Sequence, residues 1–293
     1  MQHDLRRGAR YAIAAAAALA SAGAMIKLAA GDMPNVMVVW LRSLLGLLLL
    51  APWVLRSGVR GLKTKRLGAH FLRALFGVSA MYCFFYAISK MHLADAVLLN
   101  YSQPLFIPFI AWLWLAERPP ARIYPAILIG FVGVTFILKP TLGLVSPAGF
   151  AGLAAGLFAA IAMVCIRRMS NTEPTVRIVA YFMIFATLIS TVPALLFWQT
   201  PSATSLVYMF GTAAFATLGQ LLLTRAYALA PAAQVGSLVY TAVIFAALWG
   251  WAVWSELPDA YSAFGAALVI IASLLVVMVR QHKSPAANTH GLR

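Results

Sequence analysis

The sequence predicts an all-α polytopic membrane protein of ten transmembrane helices, arranged as two inverted five-helix repeats around a central cavity. Three observations carry that prediction. The chain is 63% hydrophobic and only 10% charged, with a mean hydropathy of +0.89, outside the range of water-soluble domains. Its apolar residues gather into ten runs with short polar gaps between them. Its second half also echoes its first at a fixed offset.

The runs cover approximately residues 11–30, 36–55, 69–89, 94–115, 121–138, 147–165, 176–198, 203–228, 232–254 and 260–279. Each is near the roughly 20 residues a helix needs to cross hydrocarbon, where the backbone must satisfy its own hydrogen bonds. The first run is Ala-rich, follows Arg6, Arg7 and Arg10, and has the small residues of a signal cleavage site near Ala20 to Ala22. It continues to Ala30, long enough to span, and so reads as the first helix. The gaps carry helix breakers: Gly31 to Asn35, Pro119 and Pro120, Pro140 to Pro147, Pro174, Pro201, Pro231 and Pro258.

With the N-terminus placed in the cytoplasm, 18 of the 22 Lys and Arg residues fall towards the inner side, Arg73 and Arg177 among them. Lys27, Arg42, Lys90 and Lys139 fall towards the outer side. Basic residues resist translocation, so this asymmetry places both termini in the cytoplasm. The net charge of +15 is spread over these gaps rather than gathered on a polar face, which excludes a nucleic-acid-binding reading. Cys83 and Cys165 lie inside apolar runs and read as small buried hydrophobes.

Sliding the chain on itself by 139 residues aligns Ala87/Ala226, Ala94/Ala233, Leu99/Leu238, Tyr101/Tyr240, Phe106/Phe245, Trp112/Trp251, Glu117/Glu256, Pro119/Pro258 and Ala121/Ala260. The Tyr, Trp, Glu and Pro pairs are the informative ones, because Ala, Leu and Phe recur by chance in membrane helices. Five helices per repeat is an odd number, so the second repeat runs through the bilayer in the opposite direction, the arrangement of secondary carriers that hold substrate near the midplane. The expected organisation is a first repeat over 1–140, a second over 141–282 and a cytoplasmic tail over 283–293.

The run Lys27, Pro34, Leu41-Arg42, Leu72 to Leu75, Tyr86-Ala87, Ala94 to Leu99, Pro104 and Leu115 to Glu117, followed by Gly130 and Gly133, resembles half of a drug/metabolite transporter of the ten-helix EamA type. Ala233, Leu238, Ser255-Glu256 and Gly265 repeat its closing part. The resemblance implies a bacterial inner-membrane exporter of amino acids and other metabolites, with a cavity lined by helices one, three, four, six, eight and nine. One departure stands out: Val243 occupies the place of Pro104 in the second repeat, so the two halves are not expected to bend alike.

Tyr82 and Tyr86 are four residues apart on one face of the third helix, with Ser79 and Ser89 close to the stripe. Asn100, Tyr101 and Gln103 precede Pro104 in the fourth helix, where Pro104 and Pro108 are expected to loosen it mid-membrane. Thr217, Gln220 and Thr224 in the eighth helix, with Ser237, Tyr240 and Thr241 in the ninth, form a second polar wall. Tyr82, Tyr86, Asn100, Tyr101, Gln220, Ser237 and Tyr240 are therefore the candidate substrate-binding residues, with bonds between helices as the alternative. Arg42 either pairs with an acid such as Asp32 or contacts substrate, while Glu117 and Glu256 read as helix-end anchors.

The histidines are all terminal or at helix ends, and no helix centre holds a carboxylate, paired nucleophile and base, or metal-ligand set. No enzyme, metal or cofactor is expected. The expected function is export of small metabolites, neutral and aromatic amino acids foremost, by a carrier that works as a monomer in the lipid bilayer with a small-molecule substrate as partner. Carriage of drugs or phosphorylated sugars is the alternative; a non-transporting scaffold or an intramembrane enzyme stands as the alternative of a different class.

Overall fold

The computed structural model describes residues 5–115, 121–138, 146–169, 172–229, 238 and 240–281. A backbone surrounded by hydrocarbon has no solvent to bond with, and each apolar run accordingly becomes a helix. The helices are α1 (Leu5–Ala29), α2 (Asn35–Leu62), α3 (Leu67–Lys90), α4 (Leu93–Asn100), α5 (Gln103–Leu115), α6 (Tyr124–Leu138), α7 (Pro147–Met169), α8 (Thr175–Leu196), α9 (Ala203–Leu229), α10 (Thr241–Trp254) and α11 (Ala260–Gln281). Among the described residues seven segments are long and apolar enough to cross a bilayer, with α4 and α5 together making one of them. The shorter apolar stretches Tyr124–Ile137, Thr241–Trp254 and Ala260–Ala272 complete ten crossings.

The α4–α5 crossing is interrupted at Tyr101 and Ser102, where Pro104 has no N–H to return to the Asn100 carbonyl. Local bonds repair the break. Ser102 N–H and its hydroxyl both donate to the Leu99 carbonyl, at 3.1 and 2.6 Å, and Leu105 N–H donates to the Ser102 carbonyl at 2.9 Å. In the second half Tyr240 caps the start of α10. That helix thus begins where Tyr101 interrupts the first half, although Val243 stands in the place of Pro104.

Exchanging the halves maps α1 onto α7, α2 onto α8, α3 onto α9, the α4–α5 crossing onto α10 and α6 onto α11. The more extensive contacts obey that exchange. The extensive α1–α9 contact becomes α3–α7, the α2–α9 contact becomes α3–α8, and the α1–α10 contact becomes α7 against α4 and α5. Pairs α2–α8, α6–α11 and α4–α10 map onto themselves. Tyr101 and Tyr240, equivalent in sequence, meet on the resulting axis: the Tyr240 hydroxyl donates to the Tyr101 carbonyl at 3.1 Å and the rings lie 5.9 Å apart.

Small residues permit the closest approaches, since helices in lipid associate by packing rather than by expulsion of water. Alanines 12, 15, 16, 20 and 24 of α1 are buried. Gly156 of α7 lies against the interrupted backbone, where an added Cβ would sit 2.7 Å from both the Leu99 carbonyl oxygen and the Ser102 hydroxyl. Gly156→Ala is predicted to lower stability by about 1–3 kcal/mol through this overlap. Gly68→Ala, where a Cβ meets nothing within 4 Å, is predicted to be neutral or to stabilise α3 by up to about 1 kcal/mol. Thermal unfolding of the two variants in detergent checks the contrast.

Candidate functional site

Charge is costly inside a bilayer, and the acids mark where the molecule neutralises it. At one end of the bundle, Ser255 at the end of α10 adopts a left-handed conformation, φ 54°, which turns the chain so that Glu256 reaches back across the bundle. Its carboxylate accepts from the Lys27 ammonium of α1 and from the Leu93 N–H at 3.0 Å. It thereby caps the positive end of α4. Lys27 also donates to the Met91 carbonyl at 2.8 Å and lies 5.0 Å from the centre of the Trp254 ring. Asp32 accepts from the Ser205 hydroxyl at 3.1 Å, and Asp95 from the Ser262 hydroxyl at 3.3 Å.

At the other end Glu173, ahead of α8, accepts from the Thr64 hydroxyl at 2.6 Å and from Arg177 at 2.9 Å, with His70 Nε2 at 3.7 Å. Burial opposes the Glu173 charge, but those hydrogen bonds and the neighbouring Arg177 and His70 hold its carboxyl below its ordinary value. A depressed carboxyl supplies its stabilisation above the ordinary carboxylate range and loses it as pH falls through the lowered value. Arg177 and Tyr181 also donate to the carbonyls of Gly61 and Leu62, each at 2.7 Å. This set closes the α2–α3 turn onto the α7–α8 turn.

The two faces correspond under exchange of the halves. Asp32, in the first turn of the first half, bonds the start of the third helix of the second half. Glu173, in the first turn of the second half, bonds Thr64 in the turn just ahead of the third helix of the first. Each acid thus ties one half to the other at opposite ends of the bundle.

Between the faces lie groups with fewer partners. Asn35 donates to the Tyr82 carbonyl at 2.9 Å, while its own Oδ1 and the Tyr82 hydroxyl are buried without a hydrogen-bond partner. Deeper in, Arg42 of α2 and Arg73 of α3 flank Phe182 of α8, with guanidinium carbons 5.9 and 3.6 Å from its ring centre. Arg42 Nη1 points at the sulfurs of Met183 and Met81, at 3.6 and 3.9 Å. Trp40 and Trp249 stitch the halves within about two turns of the end that holds Asp32 and Glu256, donating to the hydroxyls of Thr191 at 2.9 Å and Ser21 at 3.1 Å.

A membrane bundle of ten crossings, two-fold in its contacts and latched between halves at both ends, has the build of a carrier. The profile of the EamA-like transporter family matches twice, over residues 6–139 and 146–278. The chain belongs to the EamA-like transporter family. It is 33% identical over 277 residues to the pseudopaline exporter CntI of Pseudomonas aeruginosa, covering 92% of this chain and 95% of that one. It is 24% identical to the riboflavin transporter of Vibrio cholerae, covering 97% of both, and 25% identical to the S-adenosylmethionine uptake transporter of Rickettsia bellii, covering 82% of both. A crystal structure 20% identical to it shares the fold, with a TM-score of 0.61 over 92% of this chain and 97% of that one.

In this EamA-like transporter the sequence-derived candidates separate into groups. Tyr101 and Tyr240 meet directly; Tyr82 is partly buried, and Asn100 lies partly buried at the end of α4. Tyr86, further along the Tyr82 stripe, and Gln220 of α9 are exposed. Pro104 and Pro108 sit in α5, Pro108 buried. Ser237 and Glu117 lie outside the described residues. Arg42 does not pair with Asp32, whose carboxylate is engaged by Ser205. Arg73, counted by charge with the inner face, instead turns its head group into the bundle over Phe182. Glu173 and Arg73 carried sequence signals that composition alone passes over: an i, i+4 Glu173–Arg177 pair, and an arginine set inside an apolar run.

The Lys27–Glu256 pair, with side chains 10% and 15% exposed, generates a direct prediction. Lys27→Met strands the Glu256 carboxylate and is expected to cost about 2–4 kcal/mol, whereas the Lys27→Met/Glu256→Gln double variant loses less than the sum of the singles. A double-mutant cycle by thermal unfolding measures it.

Proposed function

We propose that this transporter exports small organic metabolites, amino acids among them, by alternating access, with both termini in the cytoplasm. The observation that carries the mechanism is the correspondence of the two latches under exchange of the halves. An inverted repeat can hold either end shut with equivalent contacts, so releasing one end while keeping the other exposes the midplane to one side at a time. Among the described residues both ends are tied, as in a state between the two openings.

The relatives are named for three different cargoes, so cargo must be set by the side chains each member places near the midplane. Here these are the Tyr101–Tyr240 pair, Tyr82 with its unpartnered hydroxyl and the two arginines. Aromatic faces suit apolar or aromatic side chains, while guanidinium and hydroxyl groups suit carboxylates. The export direction is favoured by the 33% identity to an exporter.

Counterflow in proteoliposomes tests the reading. Labelled phenylalanine and glutamate are expected to exchange, with Tyr101→Ala and Tyr240→Ala each lowering the rate at least tenfold in folded protein. Exchange of no amino acid, alongside transport of an unrelated solute, overturns the cargo. Unchanged rates in both variants overturn the placement of the site.

A further inference from the structure

Every acid among the described residues is engaged away from the centre. Asp32 is held by Ser205, Asp95 by Ser262, Glu173 by Thr64 and Arg177, Glu256 by Lys27, and Asp259 caps α11 through the Ser262 N–H. Arg42 and Arg73 therefore converge on Phe182 with no described carboxylate between them. Arg73 Nε and Nη1 are buried without a hydrogen-bond acceptor, and the nearest polar atoms to Arg42 Nη1 are thioether sulfurs, which accept weakly.

Stacking on the Phe182 face offsets part of the cost of the Arg73 charge, but one ring cannot neutralise two cations. The guanidinium carbons lie within about 10 Å of each other across the ring, close enough to repel and poorly screened inside a protein. Two like charges held together at depth, with donors left open, are stabilised when an anion joins them. Guanidinium forks match oxyanions in two-pronged hydrogen bonds.

We infer that Arg42 and Arg73 form a subsite for an organic dianion, with Phe182 as its floor, so that the favoured cargo within that range is a metabolite bearing two carboxylates or a phosphate monoester. This rests on the transport reading above and narrows it, since a neutral amino acid answers only one of the two charges. Tyr82 lies nine residues from Arg73 along α3, on the opposite helix face, which separates this subsite from the Tyr82 and Tyr86 stripe. Loading the dianion cancels the repulsion between α2 and α3, and α8 carries the ring that joins them. Cargo would thus tighten the contact between the halves.

The full-length protein in lipid nanodiscs is melted with succinate, glutamate, glucose 6-phosphate or leucine, and the same solutes are followed in proteoliposomes. A dianionic probe is expected to raise Tm by several degrees where leucine does not, and the comparison of succinate with glucose 6-phosphate identifies the anion. Arg42→Gln and Arg73→Gln are each expected to abolish that rise and cut dianion flux at least tenfold, while the ligand-free Tm holds or increases because an uncompensated charge is gone. A merely structural arginine gives the reverse, a lower ligand-free Tm with the dianion response intact, and that overturns the subsite. Should the Gln variants fail to fold, Arg42→Lys and Arg73→Lys decide: a dianion affinity weakened at least threefold supports the subsite, and an unchanged one overturns it. Leucine flux with no response to any dianion refutes the subsite and leaves the transport reading standing; no flux of any solute refutes that reading itself.

Discussion

Hydrocarbon offers neither a hydrogen bond nor a counter-charge, and the rest of the structure follows from that constraint. It obliges each apolar run to be helical, and it makes Ser102 and Leu105 return their bonds where Pro104 leaves the ladder open. It also sends the carboxylates to the two ends of the bundle. There Glu256 serves three roles with one side chain: partner of Lys27, cap of α4 and tie between the halves. Glu173 does the same work at the other end for Thr64, Arg177 and the turn after α2.

Because the repeats are inverted, a contact on one face has a counterpart on the other. The Asp32–Ser205 and Glu173–Thr64 bonds are such a pair, though no residue in one is identical to its mate. What has been kept is the arrangement, an acid from the first turn of one half meeting a hydroxyl in or just ahead of the first turn of the third helix of the other. Tyr101 and Tyr240 kept both identity and place, since each lies on the axis and each faces the other. A bundle whose halves pivot about that axis has two related closed ends to choose between.

Much of this was legible in the sequence, and the exceptions have physical causes. The ten crossings could be read directly because hydrophobic length is a one-dimensional property, and the observed helices depart from the expected spans by only a few residues at most ends. The break at Tyr101 followed from Pro104. The start of α10 at the equivalent point did not, because Val243 gives no local signal and the geometry there is set by contact with the first half. Arg73 shows the limit of counting charge by side: a long side chain on a helix near the inner face can reach the centre, and only its neighbours decide which way it turns. Pairing Arg42 with Asp32 was reasonable by proximity along the chain, but Ser205, remote in sequence, had already taken the carboxylate. Tyr86 and Gln220 look like Tyr82 and Tyr240 in a list of polar membrane residues. Their exposure depends on which helix packs beside them, and composition cannot supply that.

The central claim is that equivalent ties at opposite ends of the bundle must open in turn. It is tested most directly by making each tie covalent. With Cys83 and Cys165 replaced by serine, Asp32→Cys/Ser205→Cys closes one end on oxidation and Thr64→Cys/Glu173→Cys closes the other. Substrate counterflow is predicted to stop with either disulfide formed and to recover on reduction. Counterflow at the full reduced rate with either end covalently shut contradicts the account.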